Sequence, residues 1–552
     1  MPSMLEGAPA SIPPYPATVE KNEIESNIPN SKNASTSNDV ESREQDEEVV
    51  YPGHLKFGLL FAALCVAVFQ VVLDEVVVAT DCTSQLLFGK LYSMLSVKLV
   101  FLTALVVLEL GSIICALAPN SIGFIFGRVI AGIGAGGILS GVLTIMSHSL
   151  PRAKLAPFNG ILGAISGISF LCGPLVGGAI IAGTTWRWIF WINPIMSVPT
   201  FIATIFIVHL KPPKKSHWRE SISKLDLPSF AIFLASIVCL LIALQWGGTM
   251  YAWKNARIVV LLILFGILLG AFIFMQIRKK DAGLVPLRII TRRSIFFGMM
   301  YSFCTSGAGV ILQYWLPLWL QAIHDFSVIK AAVNLLPIII SAIVFNIISG
   351  VLVPVIGYYV PSMIFATMSM SVGMAILSTL KYDSPIRLIL GYQVPAGVGI
   401  GVALQQTVLA AQTILPMQDV PIGVSLMVLA QTLGGTIALS AANTIFTASL
   451  TSGISSSIPH LDQSKVLNTG AIDLRHSVPP EYVDILLSLY SKAVTHTLYL
   501  SLALACFSIV GTAGMKWVHV NPPHAGKKTA ETETETGTGA DTTTAEIHDR
   551  LN

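Results

Sequence analysis

The sequence predicts an all-α polytopic membrane protein, and three observations carry that prediction. Of its 552 residues, 53% are apolar and only 11% are charged, whereas a soluble chain has about 25% charged residues. Apolar runs of about 20 residues recur along the chain, each long enough to cross a hydrocarbon core. The loops between them are alternately rich and poor in Lys and Arg, the pattern of the positive-inside rule. Only helices and closed barrels satisfy the backbone inside lipid, and continuous apolar runs lack the two-residue alternation of a barrel strand.

Residues 1–53 are rich in Ser, Asn, Glu and Pro and read as a disordered cytoplasmic tail. They lack a basic segment followed by an apolar one, so they do not read as a signal peptide. Apolar runs then fall near 57–80, 99–118, 121–147, 157–183, 188–210, 227–246, 257–277, 294–320, 331–357, 360–380, 386–413, 420–447 and 495–517. Residues 518–552, with their alternating Thr and Glu, read as a second disordered tail.

Net charge is −7 over residues 1–50, −3 over 518–552 and +13 between them. The basic loops hold Arg152 and Lys154, then Lys211 to Lys224, then Arg278 to Arg293. They are assigned to the cytoplasm, and the segment 448–494 to the outside. Counting back from Arg152 puts 81–98 in the cytoplasm too. A cytoplasmic N-terminal tail then needs two spans before residue 81, and one is visible. The stretch from Asp81 to Ser96 reads as too short and too polar to cross as a helix. Thirteen spans are clear where fourteen are expected.

Composition and motifs exclude several classes. No stretch interleaves basic and aromatic residues on a polar face, so nucleic acid is not an expected partner. The seven cysteines stand singly, and no HExxH or zinc spacing occurs. No phosphate-binding loop occurs, and neither a cofactor nor an enzyme activity is expected.

The candidate site residues are polar groups at membrane depth. Arg128 follows an apolar stretch and precedes Gly132, Gly134, Gly136 and Gly137. An arginine there is costly and suggests function, although one near a helix end can also snorkel to the interface. Asp74 and Glu109 are carboxylates in apolar runs; Asp74 is able to pair with Arg128 and to exchange a proton, and either could instead sit near the interface or make structural contacts. Gly163, Gly167, Gly173, Pro174, Gly177 and Gly178 sit on one span, where small residues let two helix backbones touch. Gln313, Gln405 and Gln431 face a cavity or bond between helices, and Tyr314, Trp315 and Phe303 would suit an apolar cavity wall.

These motifs resemble the fourteen-spanner drug:proton antiporters of the major facilitator superfamily, in their fungal secondary-metabolite branch. The resemblance covers about 57–517. It rests on the Gly163 to Gly178 antiporter motif, on Leu73-Asp74 with Ala79-Thr80, and on Trp186-Arg187-Trp188 before Asn193-Pro194. It also rests on Tyr314 to Gln321, Leu336-Pro337, the Gly397 to Gln406 stretch and Gln431 to Gly435. It implies two six-helix bundles, 54–210 and 294–517, joined by a linker with two extra spans, 211–293. It also implies proton coupling at Asp74, Arg128 and Glu109, and a substrate cavity near Gln313, Tyr314, Trp315, Gln405 and Gln431. The implied activity is export of a small amphipathic toxin, drug or metabolite by alternating access, as in multidrug resistance. Siderophore-iron transport is the alternative within the superfamily. The plasma membrane is the expected location, with vacuolar or vesicular membranes as alternatives.

The sequence departs from that family between Thr80 and Gln85, where roughly 25–30 residues, about one span and a loop, are absent. The second helix is then truncated near 81–97. Either an exon has been lost, or the protein lacks the span and is non-transporting or has an outward tail. In the outward case Asn33, which heads an Asn-Ala-Ser sequon, becomes a glycosylation site.

Overall fold

The computed structural model describes residues 53–74, 78–208, 225–248, 250–458, 466 and 478–520. Asn33 and nearly all of both predicted tails lie outside them. The apolar runs wind into helices, the form that pairs every backbone amide within the segment. In chain order these are α1 His54–Leu73, α2 Val78–Met94, α3 Val97–Leu117, α4 Ser121–Ser149, α5 Arg152–Gly183 and α6 Trp188–Ile207. Next come α7 Leu227–Trp246, α8 Ala256–Lys279, the single turn α9 Leu287–Ile290, and α10 Arg293–His324. The rest are α11 Val328–Val333, α12 Leu336–Ile356, α13 Val360–Leu377, α14 Ile386–Ala403, α15 Gln406–Ile414, α16 Val420–Ser457 and α17 Val483–Gly514. Among the described residues, 13 helical segments are long and apolar enough to cross a membrane.

Several boundaries differ from the sequence reading: α16 runs on to Ser457 rather than 447, and α17 starts at Val483 rather than near 495. The first span ends at Leu73, not Thr80, and Ala79 and Thr80 belong to α2. The stretch expected to be a truncated remnant is helical over 17 residues, about 25 Å of rise. Its direction follows from its partners. Ser84 donates to the Gly132 carbonyl, and Tyr92 donates to Gly137 O at 2.9 Å. A Cβ on Gly141 would strike Tyr92, so α2 runs parallel to α4. The α1 helix runs the other way, with Asp74 beside Arg128 near the start of α4 and Phe57 against Phe158 of α5. Thus α2 returns the chain to the end where α1 began, although at 17 residues it is shorter than the 13 segments long and apolar enough to span. Low hydropathy hid it because α2 lies between α4, α16 and α7. Its Thr83, Ser84 and Gln85 are fully buried against protein, so they are polar without facing lipid.

Small residues set the closest helix contacts. The α3–α4 pair touches where Gly111 meets Ala131 and Gly134 meets the Leu108 backbone. In the second half α13 and α14 touch where Gly373 meets Ala396 and Gly399 meets Met370. The two halves meet along α5 with α12 and along α2 with α16. Gly160 faces Gly350 there, and a Cβ added to either would lie 2.8 Å from a carbonyl oxygen of the opposing helix. No larger residue permits this approach. At the same end Asn159 Nδ2 donates to Gln412 Oε1 at 2.6 Å, Gln412 Nε2 donates to Leu143 O at 3.2 Å, and Arg152 donates to Thr413 O at 3.3 Å. This end carries the basic loops, so the positive-inside rule assigns it to the cytoplasm.

The α7 and α8 helices pack on each other, with the Phe233 and Phe272 rings 4.9 Å apart. The turns after α8 tie them to the rest of the molecule. Arg288 forms a two-pronged ion pair with Asp419 at 2.5 and 2.8 Å, and Lys90 of α2 donates to Asp281 O at 3.2 Å. Asp226 caps α7 by accepting from Ser229 N at 3.2 Å and pairs with Lys279 at 2.6 Å. Burial pushes its carboxyl upward, but the bonds from Lys279 and Ser229 outweigh that and hold it below the usual range. A depressed carboxylate contributes stability above its unfolded value, and loses it as pH falls through the folded value. Asp226→Asn is therefore expected to lower unfolding stability by about 1 kcal/mol at neutral pH. In thermal unfolding of the purified protein, the gap from the parent should close as pH falls below about 4.

Candidate transport site

The α1 helix stops where an apolar run meets its first carboxylate. Arg128, one to two turns into α4, closes that end: Nη1 donates to Asp74 Oδ1 at 2.6 Å, and Nη2 donates to Asp74 O at 2.8 Å. The guanidinium therefore neutralises a charge and also caps a carbonyl left open at the helix C-terminus. Its Cζ stands 5.5 Å from the Phe190 ring centroid, an attractive cation–π geometry. The two side chains are 9% and 11% exposed, so the contact is an enclosed ion pair. The snorkelling alternative for Arg128 does not describe it.

Glu109 lies apart from that pair, between α1, α3 and α6. Gln70 Nε2 donates to its Oε1 at 2.6 Å, and the Ser197 hydroxyl donates to the same oxygen. Its Oε2 is buried and has no hydrogen-bond partner among the described residues. Asn193 continues the polar seam by donating to Ser112 Oγ at 3.1 Å.

A cavity of about 980 Å³ opens between the two halves. Its walls come from α1, α4, α5 and α7 on one side and α10, α12, α14, α15 and α16 on the other. Leu143, Asn346, Val408 and Val428 line it near the closed cytoplasmic contact, while Gly173, Gln245, Tyr314 and Asn443 line it further out. Gln313, Tyr314, Gln405 and Gln431 all line this space. Trp315 does not: it is 3% exposed and packs against Phe446, ring centroids 4.3 Å apart. One residue further along a helix turns the side chain by about 100°, so Tyr314 and Trp315 cannot share a face. Phe303 is also absent from the lining; the Gly434 backbone packs against its main chain.

The six residues of the glycine motif all fall on α5, but they do different things. Gly163 abuts the Asn346 amide and Gly167 abuts Ile343, both on α12. Among the described residues, Gly173 and Gly177 have nothing within 4 Å of where a Cβ would stand. Pro174 and Gly178 lie in the same helix. The first part of the motif is therefore a contact between halves, and Gly173 opens onto the cavity.

Sequence reasoning missed Asn346, Gln245 and Asn443 as cavity residues. Each is an amide inside an apolar run, the same signal that selected Gln313, Gln405 and Gln431. Asn346 stands four residues before Gly350, so helical spacing places both on one face. The motif's division makes a testable contrast. Gly160→Ala and Gly163→Ala should each destabilise the purified protein by about 1–3 kcal/mol through overpacking. Gly173→Ala should leave the unfolding temperature unchanged or slightly raised.

Comparison with known proteins agrees with this architecture. The family described as Major Facilitator Superfamily matches residues 53–439. A protein named MFS efflux transporter inpD, from Emericella nidulans, is 59% identical over 515 residues, covering 92% of this chain and 100% of that protein. Efflux pump roqT, from Penicillium rubens, is 40% identical over 446 residues, covering 80% of this chain and 83% of that protein. Among solved structures, a double-tryptophan mutant of XylE superposes with a TM-score of 0.50 at 13% identity, covering 85% of this chain and 98% of that one; it bears on the fold alone. The match over most of the chain, with relatives this similar across nearly their whole length, establishes that the protein belongs to the major facilitator superfamily and is a multi-pass membrane transporter, not an enzyme.

Proposed function

We propose that this chain is a proton-coupled efflux transporter for a small amphipathic molecule. The observation that carries the proposal is the arrangement around the cavity: a large space between two halves, closed at the cytoplasmic end, with the enclosed Arg128–Asp74 pair beside its wall residue Leu73. The efflux names of the similar proteins support the direction of transport. Substrate binds between the halves, and access alternates as one half rocks on the other about the glycine contacts. A proton arriving at Asp74 removes its charge and frees Arg128 from it. The end of α1 is then held to α4 only through the Asp74 carbonyl, and that loosening is carried to the cavity wall through Leu73. The plasma membrane is the proposed location.

Removing one partner of a buried ion pair costs about 3–5 kcal/mol, so folding must be read apart from function. The test is export of a lipophilic fluorescent compound from an efflux-deficient yeast strain, with surface protein matched between variants. Arg128→Ala and Asp74→Asn are each expected to reduce export to background. Export by Arg128→Ala at the parental rate would contradict the proposed coupling.

A further inference from the structure

We infer that the transported molecule is electrically neutral and carries its own hydrogen-bond donors; this rests on the efflux reading of the same cavity. None of the 40 described residues lining the cavity is Asp, Glu, Lys, Arg or His. The polar groups it offers are amides and hydroxyls. Six amide side chains line it: Gln245, Gln313, Asn346, Gln405, Gln431 and Asn443. Each amide carries a donor and an acceptor and no charge. Such a wall matches hydroxyl, amide and carbonyl groups on a ligand, and it offers no opposite charge to offset the desolvation of an ionic one.

Gln405 sharpens the assignment. Its Oε1 is buried and accepts no hydrogen bond among the described residues, although it lies in the cavity wall. A desolvated acceptor of this kind is costly until a donor reaches it. Rotation of the Gln405 side chain toward the cavity exposes that acceptor, and a ligand N–H or O–H then supplies the donor. Gln431, by contrast, already donates from Nε2 to Leu404 O at 3.1 Å. The volume sits at the upper end of small-molecule pockets, so the ligand is large enough to touch several amides at once. The carboxylate of Asp74, next to the wall residue Leu73, is paired with Arg128 at 2.6 Å. Substrate and proton thus occupy separate places: the cavity discriminates by hydrogen bonding, and the ion pair titrates outside it.

The experiment uses the purified full chain in proteoliposomes and three probes built on one dansyl body. One has a neutral hydroxyl-bearing tail, one a quaternary ammonium tail, and one a sulfonate tail. Binding is read from dansyl emission, and export is read separately. The neutral probe is expected to bind at least about tenfold more tightly than either charged one. Equal or tighter binding of a charged probe, or no binding of the neutral one, overturns the inference. Gln405→Glu puts a carboxylate in the wall and should shift the preference about tenfold toward the ammonium probe. Gln313→Glu makes the same test from α10 if the first variant does not fold. An unchanged order of affinities in a folded variant also overturns it. Binding of the neutral probe without export would remove the efflux reading and leave the neutral selection standing. Export of the ammonium probe as readily as the neutral one would do the reverse.

Discussion

Arg128 is the residue on which the first half of the molecule turns. In a solvent without water, neither a charge nor a backbone carbonyl is left open. One guanidinium satisfies the Asp74 carboxylate and the Asp74 carbonyl together. That fixes where α1 ends, and within four residues α2 has begun in the opposite direction. The α2 helix then lies between α4 and α16, so one of the main contacts between halves depends on this reversal. Gly89 of α2 abuts Ser425 of α16 there, and Lys90 reaches the Asp281 carbonyl of the linker. The α5–α12 contact is closest where Gly160 meets Gly350.

Charge and substrate are kept apart in this arrangement. The ion pair sits at the end of α1, Glu109 sits in a separate seam with Gln70 and Ser197, and the cavity is walled by amides, hydroxyls and apolar side chains. A transporter built this way couples the two through helix position. It does not need proton and substrate to compete for one carboxylate. On that account the α1 end, continuous with the wall residues Val72 and Leu73, links the two places.

Much of this was legible in the sequence, for physical reasons. Runs facing lipid must be apolar over their whole length, so the thirteen long spans could be placed, but their ends were missed by up to about a dozen residues where a helix runs on beyond its apolar stretch. A charge at membrane depth is rare enough to stand out, which singled out Asp74, Arg128 and Glu109. What stayed hidden was anything surrounded by protein. The α2 helix is polar at Thr83, Ser84 and Gln85 because those residues touch other helices, so a hydropathy argument reads it as no span. The orientation of Trp315 was hidden too, since an aromatic residue suits a cavity wall and a helix core equally. Asn159 with Gln412, which closes the cytoplasmic end, joins residues 253 apart in sequence, and no local pattern pairs them.

The central claim is that outward movement of a neutral molecule is exchanged for a proton. It is tested most directly by recording lumenal pH with a trapped indicator in proteoliposomes preloaded with the neutral dansyl probe and diluted into probe-free buffer. A neutral probe leaves without carrying a proton of its own, so any pH change belongs to the protein. Exchange predicts that the lumen acidifies as the probe leaves, and that Arg128→Ala abolishes the change. Probe efflux through the protein at constant lumenal pH, or with alkalinisation, would contradict it.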